Sequence, residues 1–274
     1  MDKEVKRMRD MVLVLNFHDT VSRVITRKLR SERVLCKIVP GNITPDEIRA
    51  MDPMGLVLAG GESESSLPLH ADLFSMELPV FATGSTALHL LEELGGKILE
   101  PAEESGLMHM EYRHPLLFRD VEDGFRMMKN IRKLSLPGSV NAICSAEGNT
   151  LGFAHSQKPL FGYLPEMEQT DMDASRMLKN FAVDICGCTT WWDDDAFVTR
   201  AMEEIRRITG DGTAVCAMTG GLDSGVSALL GHRALGDRLK CIFVDTGLLR
   251  ENEVADFLSF YREQMGLDIL CVNA

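Results

Sequence analysis

The fold is decided by two neighbouring stretches, Thr213–Val226 with the sequence TAVCAMTGGLDSGV and Leu239–Arg250 with the sequence LKCIFVDTGLLR. The run Thr213–Met218 is apolar, rich in small and β-branched residues, and followed by two glycines, which is typical of a buried parallel strand. A helix is predicted over Val226–Leu235. The residues between them, Thr219–Gly225, are therefore expected to form a turn from strand to helix.

This turn has the composition of an anion-binding loop. Its glycines let the backbone approach a ligand closely, and the free N–H groups of the helix start favour a phosphate. No lysine stands where a Walker A loop requires one. A pair of glycines can also do no more than close a strand–helix unit. The fuller pattern Gly-Gly-x-Asp-Ser, followed by a second strand over Leu239–Val244 that ends beside Asp245, favours a nucleotide site.

The loop resembles the SGGxDS signature of the N-type ATP pyrophosphatases, with Thr219 in place of the first serine. Within that superfamily, the stretch Val244–Arg250 together with Asn252-Glu253 resembles GMP synthase. In that family the loop grips the pyrophosphate end of ATP while xanthosine monophosphate is adenylylated, and ammonia then displaces AMP. The resemblance therefore implies ATP and Mg²⁺ as cofactors and GMP biosynthesis as the function.

The resemblance assigns roles within the loop. The backbone N–H groups of Gly220 to Gly225 and the hydroxyls of Thr219 and Ser224 would bind the β- and γ-phosphates, and Asp223 would hold magnesium or brace the loop. Gly225 stands where the family usually has a second serine. On a simpler interpretation, Ser224 only caps the following helix and Asp245 only ends a strand. The predicted nucleotide-binding residues are Thr219, Gly220, Gly221, Leu222, Asp223, Ser224, Gly225, Val244 and Asp245.

Length and composition limit the other possibilities. A chain of 274 residues predicts two domains, and 45% apolar with 26% charged residues is ordinary for a globular protein. A net charge of −12 argues against nucleic acid or an anionic membrane surface as the main partner. No stretch has the apolar length of a membrane span, and the N-terminus lacks the features of a signal peptide. These patterns predict a cytoplasmic protein.

The cysteines point to the same compartment. Their number, seven, is odd, and they are scattered through apolar patterns, which predicts free core thiols rather than a disulfide framework. The pair within Cys186-Gly187-Cys188 has no second pair or histidine cluster at zinc spacing, so a metal site is not favoured.

The first part of the chain alternates strands and helices, which predicts a parallel α/β sheet. From Ile98 to Glu166 short apolar segments separated by turns predict mostly antiparallel strands, and a helix follows over Met172–Ile185. The polar stretch Thr189–Asp195 is the predicted domain boundary, with Asp193–Asp195 capping a helix over Ala196–Ile208. The predicted strands and helices of the first part are Met11–Leu15, Thr20–Leu29, Val34–Val39, a helix begun by a Thr44/Glu47 capping box, Gly55–Ala59, Val80–Thr83 and Ser85–Leu94. The later part adds a helix over Glu251–Met265 and a strand over Asp268–Val272.

The resemblance to GMP synthase continues through this first part. Residues 11–188 resemble its class I glutamine amidotransferase domain, which implies a flavodoxin-like α/β fold. Residues 189–274 resemble the first part of its pyrophosphatase domain, which implies a truncated Rossmann-like (adenine nucleotide alpha hydrolase-like) parallel sheet. The matching landmarks are Leu58–Gly61, Pro79-Val80, Leu94–Lys97, Pro165-Glu166 and Asn180–Cys188.

The residues that carry glutamine hydrolysis in that family are missing. The chemistry needs a cysteine on a strained elbow, a histidine base and a glutamate that orients it. The match places Gly84 at the nucleophile position and Leu164 at the base position, and it retains only Glu166. The neighbouring hydroxyls of Thr83 and Ser85 lie beside the nucleophile position.

Two further observations support a degenerate amidotransferase domain. Glu62 follows Gly60-Gly61, where the family has the glycine–proline of its oxyanion strand. The histidines at 89, 109, 114 and 155 have no partner at a readable spacing, which predicts surface or satisfied imidazoles. We therefore expect no hydrolysis of glutamine.

The chain stops at Ala274, partway through the family's pyrophosphatase domain. The resemblance thus implies that xanthosine monophosphate binds only with a complementary C-terminal polypeptide, and that the open sheet edge invites a homo- or hetero-oligomer. The first hypothesis is an ATP-dependent carbon–nitrogen ligase fed by ammonia. The alternative is a non-catalytic nucleotide-binding or partner-binding protein. A third hypothesis, NAD synthetase or a tRNA-thiolating enzyme, is disfavoured by the Gly-Leu-Leu-Arg stretch, the Cys-Gly-Cys junction and the acidic charge.

Overall fold

The computed structural model describes residues 10–61, 69–101, 106–128, 131–167, 171–250 and 252–274. Its contacts divide the chain into two compact units, Met1–Trp192 and Asp193–Ala274. The division falls within the predicted linker.

The first unit is an α/β structure. Its strands are β1 Val12–Asn16, β2 Cys36–Pro40, β3 Gly55–Ala59, β4 Val80–Thr83, β5 Lys97–Pro101, β6 Gly106–Tyr112, β7 Gly124–Met128, β8 Arg132–Ser135, β9 Val140–Ala146, β10 Asn149–His155 and β11 Leu160–Tyr163. Its helices are α1 Asp19–Ser31, α2 Pro45–Met51, α3 Gly84–Glu93 and α4 Met172–Asn180, with a 3-10 turn at Ala71–Ser75 and a π-helical turn at Phe181–Ile185.

Within the described residues, nine strands of this unit form one mixed sheet in the order β2-β1-β3-β4-β11-β10-β9-β6-β7. The first five lie parallel, and β10, β9, β6 and β7 continue the sheet with antiparallel pairing. The sequence predicts mostly antiparallel strands after Ile98, and this is confirmed except that β11 pairs in parallel with β4. Strands β5 and β8 form a separate antiparallel pair.

The core lies on both faces of the parallel half, because successive strand residues point to opposite faces. Val12 and Val14 pack on the face covered by α1 and α4, where Ile25 and Leu178 are also fully buried. Leu13, Leu15 and their neighbours pack with residues of α2 and α3 on the other face. This two-sided burial explains why the parallel strands read as continuous apolar runs.

The predicted capping box at the start of α2 is confirmed. The Thr44 hydroxyl accepts the Glu47 N–H at 3.3 Å, and the Glu47 carboxylate accepts the Thr44 N–H at 2.9 Å. Pro45 occupies the first turn, where its missing N–H costs nothing. The predicted helix over Met172–Ile185 is realised as α4 and its π-helical continuation.

The second unit contains a parallel sheet. Its elements are α5 Asp194–Thr209, β12 Ala214–Met218, α6 Leu222–Leu235, a 3-10 turn at Gly236–Arg238, β13 Leu239–Asp245, α7 Glu253–Leu258, a π-helical turn at Ser259–Gln264 and β14 Ile269–Asn273. In the part that the structure describes, the three strands pair in parallel in the order β12-β13-β14. Asp193 caps α5, since its carboxylate accepts the Ala196 N–H at 2.9 Å.

Two helix boundaries in this unit differ from the prediction. Helix α6 begins at Leu222 rather than at Val226, because Gly221 adopts an extended conformation and serves as its cap residue. The helix predicted over Glu251–Met265 begins at Glu253 and passes into the π-helical turn after Leu258; Glu251 lies outside the described residues. The earlier start of α6 shortens the predicted turn to three residues, Thr219 to Gly221.

The remaining expectations concern cysteines and membranes. All seven cysteines are free thiols, and Cys216 and Cys271 are half-buried whereas the other five are buried. No helix among the described residues has both the length and the apolar character needed to cross a bilayer.

Candidate functional site

The first candidate site is the elbow between β4 and α3, at the carboxyl ends of the parallel strands. Gly84 begins α3 with φ of +53°, a left-handed conformation that favours glycine. The backbone therefore makes a strained strand-to-helix turn at the position predicted for the nucleophile. Glycine supplies no side chain there.

The space where such a side chain would begin is filled. A Cβ atom on Gly84 would lie 2.7 Å from the carbonyl oxygens of both Gly60 and Gly61. The loop that contains Gly60 and Gly61 also bonds the next backbone donor of the chain, since the Ser85 N–H donates to the Gly61 carbonyl at 2.8 Å. The N–H group after a nucleophile normally helps to form an oxyanion hole. Here that N–H group already has an acceptor.

The hydroxyls around the elbow hold the backbone together. The Thr86 hydroxyl donates to the carbonyls of Leu58 and Thr83, each at 2.8 Å. The Thr83 hydroxyl lies 3.2 Å from the Gly60 N–H, which donates to it, and it also contacts the Leu58 carbonyl. Ser85 is only 9% exposed. These contacts support a structural role for the threonines.

The predicted position of the general base is occupied by an apolar residue. Leu164 follows β11 directly, packs against the apolar cluster on the α3 face and donates its N–H to the Leu151 carbonyl at 2.8 Å. Glu166 is exposed two residues later. Glu62, which the sequence predicts at the oxyanion strand, lies outside the described residues.

Two of the four histidines discussed above are satisfied by local backbone, and His109 is exposed at the surface. The Nδ1 atom of His114 accepts the Leu117 N–H at 3.0 Å, and that of His155 accepts the Lys158 N–H at 3.0 Å. Burial lowers the pKa of His114 below its usual value. The structure also brings His18 against the elbow loop, since a Cβ on Gly61 would meet its ring at 2.6 Å. Sequence reasoning missed His18, and the strand end just before it was the available signal.

The four buried cysteines of the first unit offer no alternative nucleophile at neutral pH. Burial raises the pKa of the Cys144 and Cys188 thiols to about 12 and that of Cys36 to about 11. Burial also raises the pKa of Cys186, and the adjacent Cys188 adds to this effect. Since the thiolate is the reactive form, these side chains are inert packing residues.

The second candidate site is the turn after β12 in the second unit. Thr219 and Gly220 are exposed, and Gly220 has φ of +84°. The Ser224 hydroxyl, in the first turn of α6, lies 3.2 Å from the Thr219 hydroxyl and donates to the Gly221 carbonyl at 3.0 Å. The two predicted hydroxyl donors are therefore neighbours. Ser224 is not the cap residue of α6, since Gly221 holds that place.

Because α6 begins earlier than predicted, a different set of backbone N–H groups is free to bind a ligand. Leu222, Asp223 and Ser224 are the first three helical residues, whose N–H groups have no partner within a helix. The N–H of Gly225 instead donates to the Gly221 carbonyl at 3.2 Å. Gly225 was predicted to offer its N–H to phosphate, and the structure corrects this point.

The acidic residues of this site are exposed or half-buried. Asp223 is exposed in the first turn of α6, while Asp245 ends β13 and accepts the Gly247 N–H at 2.9 Å. Val244 is 44% exposed. Among the described residues no group of three or more His, Cys, Asp or Glu side chains forms a metal site. A single carboxylate fits a magnesium ion held mainly by phosphate oxygens, which is the usual arrangement for nucleotides.

Gly225 is closely covered by an aromatic side chain. A Cβ atom on this glycine would lie 1.9 Å from the Tyr261 hydroxyl oxygen and 2.7 Å from its Cζ. Tyr261 lies in the π-helical turn after α7. The Tyr261 hydroxyl therefore lies close to the position that a side chain at residue 225 would occupy.

Comparison with known proteins gives relatives along nearly the whole chain. The GMP synthase [glutamine-hydrolyzing] of Caldanaerobacter subterraneus subsp. tengcongensis is 32% identical over 277 residues, which cover 97% of this chain and 54% of that protein. The protein of the same name from Bacillus cereus is 31% identical over 289 residues, covering 98% of this chain and 55% of that protein. The chain spans about half the length of the curated relatives it matches. No family model matches it.

A solved structure supports the fold alone. A protein from Thermoplasma acidophilum, provisionally named as part of a GMP synthase, superposes with a TM-score of 0.54 at 20% identity. The superposition covers 65% of this chain and 94% of that protein. The α/β fold with its large mixed sheet is thus shared with a protein of that name.

Proposed function

We propose that the chain is a GMP synthase-like protein that binds ATP with Mg²⁺ in its second unit and does not hydrolyse glutamine in its first. The observation that carries this proposal is the similarity to proteins named GMP synthase, which covers 97% of the chain and therefore both units. The start of α6 adds support, because it presents open N–H groups beside two hydroxyls.

In this proposal the terminal phosphates of ATP lie against the first turn of α6. The N–H groups of Leu222, Asp223 and Ser224 and the positive end of the helix would bind the phosphate oxygens. The Thr219 hydroxyl would add a donor, and the Asp223 carboxylate would hold Mg²⁺ on the phosphates. The carboxyl end of β13, at Val244 and Asp245, would contact the nucleoside.

The proposed reaction of the whole protein is the ATP-dependent amination of xanthosine monophosphate. The phosphates would be positioned for loss of pyrophosphate as the xanthosine monophosphate oxygen attacks the α-phosphorus of ATP. Ammonia would then displace AMP and leave GMP. We propose free ammonia or another amidotransferase as the nitrogen source, with xanthosine monophosphate bound only together with a complementary C-terminal polypeptide. The exposed strand edges of the small sheet would accommodate such a partner or a second copy.

The loss of glutamine hydrolysis is proposed on three features of the elbow. Gly84 has no nucleophile, the carbonyl oxygens of Gly60 and Gly61 lie 2.7 Å from the point that its Cβ would occupy, and the Ser85 N–H donates to the Gly61 carbonyl. Leu164 replaces the base. Removing a nucleophile and a base each costs several orders of magnitude in rate. A glutaminase assay should give no turnover, and turnover that disappears in Ser85→Ala or Thr83→Ala would overturn this part.

The decisive experiment is calorimetric titration of the chain with Mg-ATP, compared between the native protein and Asp223→Ala. We expect binding by the native protein and an affinity lower by about tenfold or more in the variant. Asp237→Ala is the matched control, because it removes an exposed carboxylate just beyond the other end of α6. Its affinity should equal that of the native protein.

Failure of the native chain to bind Mg-ATP would contradict the proposal. The closed elbow favours a second candidate function, that of a non-catalytic nucleotide-binding or partner-binding protein. The two candidate functions differ in whether the protein turns over its substrates. A non-catalytic protein would release no pyrophosphate when ATP, xanthosine monophosphate and ammonium are supplied together with a complementary polypeptide.

A further inference from the structure

Three aromatic side chains connect the central strand of the small sheet to the start of α6. Phe243, which is buried on β13, stacks on Phe257 of α7 with ring centroids 4.3 Å apart. Phe257 in turn contacts the ring of Tyr261 at 4.8 Å. The backbone of Tyr261 is also fixed, since its carbonyl accepts the Leu267 N–H at 3.0 Å. The position of the Tyr261 ring is therefore determined by packing.

This packing places the Tyr261 hydroxyl over the first turn of α6. The oxygen lies 1.9 Å from the point that a Cβ on Gly225 would occupy, and Gly225 directly follows Ser224. A serine at position 225 would carry its own hydroxyl within one bond length of that point. Tyr261 therefore supplies a hydroxyl at the place where the helix itself has none.

The Tyr261 hydroxyl is open for an additional interaction. Among the residues that the structure describes, none forms a hydrogen bond with its oxygen, and the side chain is half-buried. The Ser224 hydroxyl, by contrast, contacts both Thr219 and the Gly221 carbonyl. A phenol held against the first turn of a helix can donate to an anion bound there.

We propose that Tyr261 is a phosphate-binding residue of the nucleotide site, where its hydroxyl takes the place of a serine side chain at position 225. This inference rests on the proposed function, since it names a further donor in the same site. It also makes glycine obligatory at position 225 as long as tyrosine stands at 261. The ligand class is a nucleoside triphosphate or inorganic pyrophosphate with Mg²⁺.

The test measures the affinity of the full chain for Mg-ATP and, separately, for Mg-pyrophosphate. Tyr261→Phe removes the hydroxyl and keeps the ring, so both affinities should fall by about tenfold, in line with the loss of one hydrogen bond to a charged group. Ser259→Ala is the matched control, because it removes a hydroxyl from the same π-helical turn, one that donates to the Glu263 carboxylate at 3.1 Å. It should bind both ligands as the native chain does.

A rescue variant separates binding from packing. A phenylalanine ring at position 261 would still lie 2.7 Å from a Cβ at position 225, so the rescue uses Tyr261→Ala. Gly225→Ser in the Tyr261→Ala background returns a hydroxyl to the first turn of α6, and we expect both affinities to recover at least partly relative to Tyr261→Ala alone. Gly225→Ala in the same background adds the same Cβ without a hydroxyl and should not recover them. This comparison stays informative even if Tyr261→Ala lowers the melting temperature, because the two double variants carry nearly the same bulk.

The outcomes distinguish this inference from the proposed function. Native binding that is unchanged in Tyr261→Phe would overturn the role of Tyr261 and leave the nucleotide site standing. Equal affinities of the two double variants would also overturn it, since the hydroxyl would then have no effect. Absence of binding of both ligands by the native chain would overturn the proposed site and this inference together.

Discussion

At the scale of single residues, the elbow at Gly84 differs from a site that has merely lost its side chain. Deleting a nucleophile leaves a gap that the original residue could refill. Here the carbonyl oxygens of Gly60 and Gly61 occupy the gap, and the Ser85 N–H is bonded to one of them. Returning a cysteine to position 84 would therefore require the loop to move.

Gly84→Ala tests this packing directly. The added Cβ meets two backbone oxygens at 2.7 Å in a left-handed conformation, so we expect the free energy of unfolding to fall by about 2–4 kcal/mol. Gly95→Ala is the control, because Gly95 has φ of +84° with nothing within 4 Å. It should cost only the conformational strain, about 1 kcal/mol. Urea denaturation of both variants would measure the difference, and equal losses would mean that the loop yields readily.

The half-buried His114 predicts a pH dependence of stability. Burial lowers its pKa in the folded state, and its Nδ1 accepts the Leu117 N–H only when that nitrogen is unprotonated. The folded state therefore binds this proton less tightly than the unfolded chain. The stabilisation is present above the unfolded pKa of about 6.5 and is lost as the pH falls through the lower folded value.

His114→Asn is the variant that tests this dependence. An asparagine can still accept the Leu117 N–H but does not titrate, so its stability should fall less than that of the native protein between about pH 7 and about pH 5. Chemical denaturation at a series of pH values gives the two curves. Parallel curves would show that His114 contributes nothing to the acid sensitivity.

The residues of the elbow show what sequence can and cannot reveal at this scale. The sequence alone predicts the loss of a nucleophile at Gly84 and of a base at Leu164, because each motif fixes a residue type at a position. The hydrogen bond from the Ser85 N–H to the Gly61 carbonyl could not be predicted from the sequence, since it depends on the path of a loop whose glycines admit many conformations. The contact between Gly225 and Tyr261 joins two elements far apart in sequence. No local pattern encodes it.

At the scale of elements, the start of α4 is joined to strand β7 by a partly buried ion pair. The Arg126 guanidinium bonds both carboxylate oxygens of Asp171, one of them through Nη2 at 3.0 Å, and also reaches Asp173 at 3.2 Å. Asp171 in addition caps α4 by accepting the Ala174 N–H at 3.0 Å. Strand β7 lies at the edge of the large sheet, so this pair holds an edge strand to a core helix.

Arg126→Ala should therefore be strongly destabilising. It leaves the Asp171 carboxylate, whose side chain is 12% exposed, without the guanidinium that bonds both of its oxygens, and we expect a loss of about 2–4 kcal/mol in the free energy of unfolding. Arg113→Ala is the control, since its pair with Glu111 is largely exposed and should be worth no more than about 1 kcal/mol. Thermal or urea unfolding would compare them, and similar losses would contradict the assigned role of the buried pair.

Element boundaries were predicted well where a strong local signal exists. Strands Gly55–Ala59 and Val80–Thr83 have the predicted bounds, because short buried apolar runs end sharply at turn residues. The start of α6 was placed four residues late. Its first turn contains Asp, Ser and Gly, residues that usually precede helices rather than begin them. Helix propensity therefore does not predict which N–H groups of that turn are open.

At the scale of the whole molecule, we expect the second unit to bind a nucleotide and the first unit not to bind glutamine at its elbow. The first retains the fold but has a filled elbow, and the second presents open N–H groups at the start of α6. The parallel half of the large sheet could be expected from the alternating strands and helices, and the antiparallel strands from the short apolar segments separated by turns. The parallel pairing of β11 with β4 could not, since strand order depends on which edge of the sheet the returning chain reaches.

Hydrogen exchange of the full chain with Mg-ATP and with glutamine would compare the two units in one experiment. A ligand that binds only the folded state protects the amides it contacts and stabilises the structure around them, by about 2.7 kcal/mol at a hundredfold excess over its dissociation constant. We expect Mg-ATP to slow exchange at Gly220 and over the first turn of α6, and less so in Asp223→Ala. Glutamine should change no amide near Gly84, because the Ser85 N–H is already bonded to Gly61. Protection of the Ser85 N–H by glutamine would mean that the loop opens for a ligand. That result would contradict the proposal that the first unit has lost glutamine hydrolysis.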